Sequence, residues 1–122
     1  MDIQKERLPP HAILSYSKNA IQIQDQPYQT LTVVSAKAIS VLDEVISIQE
    51  LTLLHLQSID LEGIDVMIIG HQETFSDVVF ELRQWFSERQ IGIEVMPLGA
   101  ACRTFNILLS EGRGVLGVFL LG

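Results

Sequence analysis

Apolar residues along this chain recur first at strand spacing and then at alternating strand and helix spacings. Ala12 to Tyr16, Ala20 to Gln24 and Thr30 to Ala36 are short, β-branched and partly alternating, with Lys18-Asn19 and Asp25-Gln26-Pro27 between them as turn candidates. The pattern predicts three antiparallel strands. Ile21 and Ile23 against Gln22 and Gln24 give one of them a wet face.

The second part of the chain reads differently. Ser47-Ile48-Gln49-Glu50 is a capping box, which predicts a helix to about Gln57 with Leu51, Leu53, Leu54 and Leu56 well buried. Asp65 to Gly70 is an apolar run without alternation, as in a central strand covered on both faces. Thr74 and Asp77 form a second box-like start, after which Phe75, Val78, Val79, Leu82 and Phe86 recur at helical spacing. Gly92 is expected to close that helix, with Ile93 to Met96 as the next strand. Trp85 should sit at the core boundary. A third helix follows from about Gly99 to Glu111, closed by Gly112, and a last strand from Val115 to Leu121. Units of this order pair in parallel with right-handed crossovers. The expected fold is α/β, a single domain with a mixed central sheet, a smaller antiparallel β layer and about three helices. Its C-terminal half reads strand-helix-strand-helix-strand. Residues 1–10, charged and ending in Pro9-Pro10, read as a flexible arm, and residues 11–122 as the domain.

Composition limits the functional classes. The chain has 122 residues and 48% apolar content, enough for one core without disulfides or metals. Eight Lys and Arg against fifteen Asp and Glu give a net charge of −7, which disfavours nucleic acid and anionic membranes. No run is long enough for membrane insertion, and the opening residues give no reason to expect an export signal. One cysteine and three scattered histidines make neither a disulfide nor a Cys-rich metal site, so no metal and no cofactor is expected. A cytoplasmic, reducing setting is the default. A mitochondrial one would require a transit segment beyond this sequence.

One stretch is specific. Residues Glu94 to Arg113 carry Glu-x-Met at 94–96, Ala-Cys-Arg-Thr-Phe-Asn at 101–106 and Glu-x-Arg at 111–113. This resembles the signature of a family of small domains that includes the mitochondrial respiratory complex I assembly factor 3 and many bacterial and archaeal hypothetical proteins. The order of elements from Ala12 onward is similar too. The resemblance implies a mixed α/β sandwich and no established catalytic activity. It also implies that eukaryotic members act as partners in assembling a membrane respiratory complex. Cys102, Thr104, Glu111 and Arg113 enter as motif positions of structural value, the last two as a pair anchoring the helix end.

Three sets of residues merit weighing. Cys102 lies in the first turn of its helix, where a thiolate is favoured, but it shares a stripe with Ala101, Phe105, Leu108 and Leu109 and reads first as a core residue. Arg103, Asn106 and Ser110, with Ile107 beside them, form a polar face that is either a docking patch or a set of caps for nearby backbone. Gly70, His71 and Gln72 leave the end of the central strand opposite Leu98 and Gly99, where open α/β sheets hold ligands. A small anion could sit in that crevice with Arg103 nearby.

The leading expectation is a non-catalytic interaction or assembly domain with a protein partner. The partner is expected to be basic or associated with a membrane complex, and homo-oligomerisation is compatible with the chain. The alternative is a small-anion binding protein or minor enzyme using the crevice. Lys37 and Arg83 bracket a stretch without cations that holds nine acidic residues, from Asp43 to Glu81, so acidity belongs to the helical flank rather than to the motif.

Overall fold

The apolar run from Val66 to His71 forms a strand buried on both sides, and the rest of the fold is built around it. The computed structural model describes residues 8–74 and 76–122. The arm expected over residues 1–10 therefore lies, from residue 1 to 7, outside the described residues, as does Phe75 of the expected helical stripe. Strands β1 (Ile13–Tyr16), β2 (Ile21–Ile23) and β3 (Gln26–Tyr28) form an antiparallel sheet in that order. Strands β4 (Thr32–Val34), β5 (Ile39–Val41), β6 (Val66–His71), β7 (Gly92–Pro97) and β8 (Val115–Phe119) form a second sheet ordered β5-β4-β8-β6-β7. There β6 pairs in parallel with β7 and β8, while β4 pairs antiparallel with β5 and β8. Helices α1 (Leu53–Leu56), α2 (Phe80–Ser87) and α3 (Leu98–Ser110) complete the described residues. The molecule is thus a small α/β domain with a mixed central sheet and a smaller antiparallel layer, as the sequence pattern predicts.

Strand periodicity sorts the core into two layers. On one face Val33, Met67, Ile69, Leu116 and Val118 pack against Ile48, Leu51, Leu56, Leu82 and Phe86 of the helical flank. On the other, Ile68, Val115 and Phe119 meet Ala101, Cys102, Phe105 and Leu109 of α3, together with Ile13, Ile21 and Ile23 of the small sheet. Phe105 and Phe119 stand edge to face at 5.6 Å there, adding about 1 kcal/mol to the area they bury.

The first part of the chain departs from the three-strand expectation. Only β1 and β2 of the predicted trio share a sheet, and the third is β4 of the larger one. Gln26-Pro27, expected in a turn, lies in β3. The turn falls one residue earlier, with Gln24 at a φ of 54°. Proline is tolerated because β3 is an edge strand with no outer partner for its missing N–H. Strand β5 has no periodic signal. It is set by Ser35, whose Oγ accepts the amides of Lys37 and Ala38 and turns the chain back.

The helices are shorter than their patterns. After the capping box, in which the Glu50 carboxylate accepts the Ser47 amide at 2.8 Å, a 3-10 turn over Ile48–Glu50 breaks at Leu51. Leu51 becomes extended and fully buried, and Thr52 starts α1 with its amide capped by His55 Nδ1 at 2.9 Å. Leu54, expected inside, is 74% exposed as a result. Helix α2 begins at Phe80 rather than at Thr74. Asp77 spends its carboxylate on the Val78 amide and on Arg83, and β-branched Val79 is extended just before the first turn. The Arg83 hydrogen bond also holds the Asp77 carboxyl below its usual range. Gly92 does not close α2. Gln90 does, at a φ of 61°, with Ile91 N–H donating to Phe86 O at 3.0 Å. Trp85 is half-buried beside Phe86, with the Arg89 guanidinium 3.5 Å above its ring.

Candidate functional site

Helix α3 begins on the residue after β7 ends, so its N-terminal amides open beside the last residues of β6. Gly70 permits this approach. A Cβ there would lie 2.8 Å from Ala101 Cβ. His71 ends β6 and is buried, with Nδ1 accepting the Glu73 amide at 3.0 Å. The Glu73 carboxylate turns away and accepts the Ile48 amide at 2.7 Å. Between His71, Gln72 and the Pro97-Leu98-Gly99 corner lies a shallow, open crevice of about 410 Å³. His71, Gln72, Leu98 and Gly99 of the expected crevice line it together, while Gly70 does not.

The third wall has no counterpart in the sequence reading. Tyr16, Ser17 and Lys18, from the end of β1 and the turn after it, close the crevice. Tyr16 rests on Gly99, where an added Cβ would sit 2.9 Å from its hydroxyl, and that hydroxyl accepts a hydrogen bond from Arg103 Nη1 at 2.6 Å. The partner residues are 87 positions apart. Lys18 was legible only as part of a turn, because nothing local ties β1 to α3.

The polar face of α3 has a partly structural role. Asn106 directs both ends of its amide to the backbone of Ile13, so it completes β1 rather than facing solvent. Arg103, Ile107 and Ser110 remain exposed. On β1, Leu14 and Tyr16 are exposed too, and the strand carries a β-bulge. Ile13 pairs with Ile23 and Tyr16 with Ile21, so three steps on β1 match two on β2. That extra residue puts Ile13 and Tyr16 on one side, toward α3, where simple alternation would oppose them.

The remaining motif residues are placed as follows. Cys102 is 1% exposed on the core side of α3, and burial pushes its thiol up to about 12. Thr104 is half-buried. Glu111 and Arg113 are both exposed and do not pair with each other, contrary to expectation: among the described residues Arg83 and Asp77 form an ion pair, and His55 Nε2 lies 3.8 Å from Glu44. What anchors the helix end is backbone. Gly112, at a φ of 73°, lets its own amide reach Leu109 O and the Arg113 amide reach Leu108 O. Arg113 also lines a second depression, of about 380 Å³, at the opposite end of the sheet with Lys37, Asp60 and Glu62. Among the described residues no cluster of His, Cys, Asp and Glu could hold a metal ion, and no helix is long and apolar enough to cross a membrane.

Residues 13–120 match the family described as a protein of unknown function, DUF498/DUF598. The chain belongs to this family. No curated protein matches it. Several solved structures share the DUF498/DUF598 chain's fold. A Bartonella henselae protein, described as an outer membrane protein, is 25% identical with a TM-score of 0.80, over 93% of this chain and 98% of that one. A Xanthomonas campestris protein is 24% identical with a TM-score of 0.77, over 91% and 84%. A Bordetella pertussis protein described as an Mth938-like domain is 18% identical with a TM-score of 0.76, over 93% and 87%. In this DUF498/DUF598 chain the family match spans both the crevice and the α3 surface.

Proposed function

We propose that this chain is a non-catalytic, assembly-factor-like interaction domain that engages a protein partner through the surface where α3 meets β1. The observation that carries the reading is a group of large apolar side chains held in water there. Leu14, Tyr16 and Ile107 are 42%, 45% and 58% exposed, on backbone that Asn106 fixes to the helix. Aromatic and aliphatic side chains presented beside an Arg on rigid elements are the usual anchors of an interface. The core placement of Cys102 removes the thiol as a nucleophile and so weighs toward binding rather than covalent chemistry. The motif from Glu94 to Arg113, which resembles the family of the respiratory complex I assembly factor, supports the same reading. With a net charge of −7, the partner that fits is a basic protein, free or carried by a membrane complex, and its association should slow as salt rises.

The test is a photo-crosslinking residue placed at Ile107 in the expressed full chain, with a second at exposed Leu54 on the opposite flank. A discrete protein adduct from position 107 and not from 54, lost when Leu14→Asp is added, supports the surface. Equal or absent adducts at both positions overturn it.

A further inference from the structure

The crevice carries features that the docking surface does not explain. The chain has an excess of seven negative charges, yet none of the residues lining the crevice is acidic. Three kinds of donor converge on it from separate elements. The first is the N-terminus of the 13-residue helix α3, where the amides of Leu98, Gly99 and Ala100 lack helical acceptors. The second is Lys18, exposed on the turn between β1 and β2.

The third is His71. The residue is only 5% exposed, and it lines the crevice. Because Nδ1 accepts the Glu73 amide, the neutral ring carries its hydrogen on Nε2, and that N–H makes no hydrogen bond among the described residues. A histidine locked by one nitrogen, with the other presented to an open pocket, is a donor in place before any ligand arrives. Glu73, the nearest acid in sequence, has its carboxylate turned to the Ile48 amide.

We propose that this crevice binds a small phosphate monoester. Three donor groups arriving from a strand end, a helix start and a turn match the several oxygens of a tetrahedral anion better than the two of a carboxylate. About 410 Å³ is more than a phosphate fills, and the remaining walls set the Tyr16 ring, Pro97 and Leu98 beside the polar Ser17 and Gln72. These suit a compact organic group attached to the phosphate. Arg103 does not line the crevice. It holds the Tyr16 hydroxyl, and so acts as a positioning residue for that wall.

The experiment is an amide and imidazole NMR titration of the full chain at fixed pH with three separate probes: inorganic phosphate, phenyl phosphate, and sodium chloride at matched ionic strength. The expected result is saturable movement of the Leu98, Gly99 and Ala100 amides and the His71 Nε2–H. Phenyl phosphate should bind more tightly than phosphate, and Lys18→Gln should weaken both about tenfold. Lys18 is exposed, so resonances far from the crevice should stay in place and confirm the fold. Shifts that follow sodium chloride alone, saturation at other residues, equal binding by Lys18→Gln, or phosphate binding at least as tightly as phenyl phosphate would each overturn the proposal. The crosslinking at Ile107 is independent of every one of these outcomes.

Discussion

The side-chain amide of Asn106 pairs with the backbone of Ile13, 93 residues away, as a neighbouring strand would. Oδ1 accepts the Ile13 N–H and Nδ2 donates to the Ile13 carbonyl, each at 2.8 Å. An asparagine supplies one donor and one acceptor at this spacing, so a helix side chain closes the outer edge of β1. Asn106→Leu strips both bonds and leaves a partly buried N–H and C=O without partners, at a cost of about 2 kcal/mol or more. Thermal melting should fall by several degrees, and hydrogen exchange at the Ile13 amide should accelerate. Wild-type melting together with wild-type exchange at Ile13 would show that the pair holds nothing.

Cys102 gives a pH dependence with a fixed sign. Desolvation raises the folded thiol from its ordinary 9.0 to about 12. Above pH 9 the unfolded chain loses the thiol proton while the folded chain keeps it. The unfolded state is then favoured increasingly up to about pH 12. The stabilising contribution is fully present below pH 9 and is lost on raising the pH through that window. Urea midpoints of wild type and Cys102→Ala, measured from pH 8 to 11, should converge as the pH rises. A constant gap between them would place the thiol in a wetter site than the core. Thiol reagents at neutral pH should label the folded chain slowly.

What was legible in the sequence follows from how local each signal is. The run over 65–70 identified β6 because burial on both faces excludes polar residues. The stripe of Ala101, Cys102, Phe105 and Leu109 identified α3 because thirteen residues of one period outweigh any single position. The crevice was half legible, since strand ends and helix starts are implied by order alone. Its other wall was not. Tyr16 is turned toward α3 by a bulge that shifts β1 by one residue, and the sequence of β1 carries no mark of that shift. The helices failed at their starts for a related reason. Leu51 and Val78 fit a helical stripe, yet both enter the core from backbone outside any helix. Periodicity records which side chains are buried and not the backbone that delivers them.

Gln90 occupies a position that glycine would fill at lower cost. Its φ of 61° is left-handed, and the Ile91 amide closes the end of α2 on Phe86 O only through that conformation. A Cβ in this region costs roughly 1–2 kcal/mol, part of which is offset because glycine loses more chain entropy on folding. Gln90→Gly should therefore stabilise the protein by about 0.5–1 kcal/mol, and Gln90→Val, β-branched, should destabilise it. Chemical denaturation of the two variants beside wild type decides this. A destabilised Gln90→Gly would mean that the Gln90 side chain contributes more than its backbone costs.

Gly70 and Gly99 both lie where α3 meets another element, and they should respond differently to the same methyl group. At Gly70 the added Cβ meets Ala101 Cβ at 2.8 Å, with Phe119 at 3.3 Å and Leu98 at 3.4 Å. The nearest of these, Ala101 Cβ, is fixed to the helix backbone and has no rotamer to yield, so the helix itself must move off β6, at about 1–3 kcal/mol. At Gly99 the obstacle is the Tyr16 ring, a side chain 45% exposed that can swing into solvent. Gly99→Ala should leave the denaturation midpoint within about 0.5 kcal/mol of wild type, the range usual for surface changes. It should instead break the Arg103 bond to the Tyr16 hydroxyl, which tyrosine ring resonances would report. A loss of stability from Gly99→Ala as large as that from Gly70→Ala would mean that Tyr16 is fixed on the helix rather than resting on it.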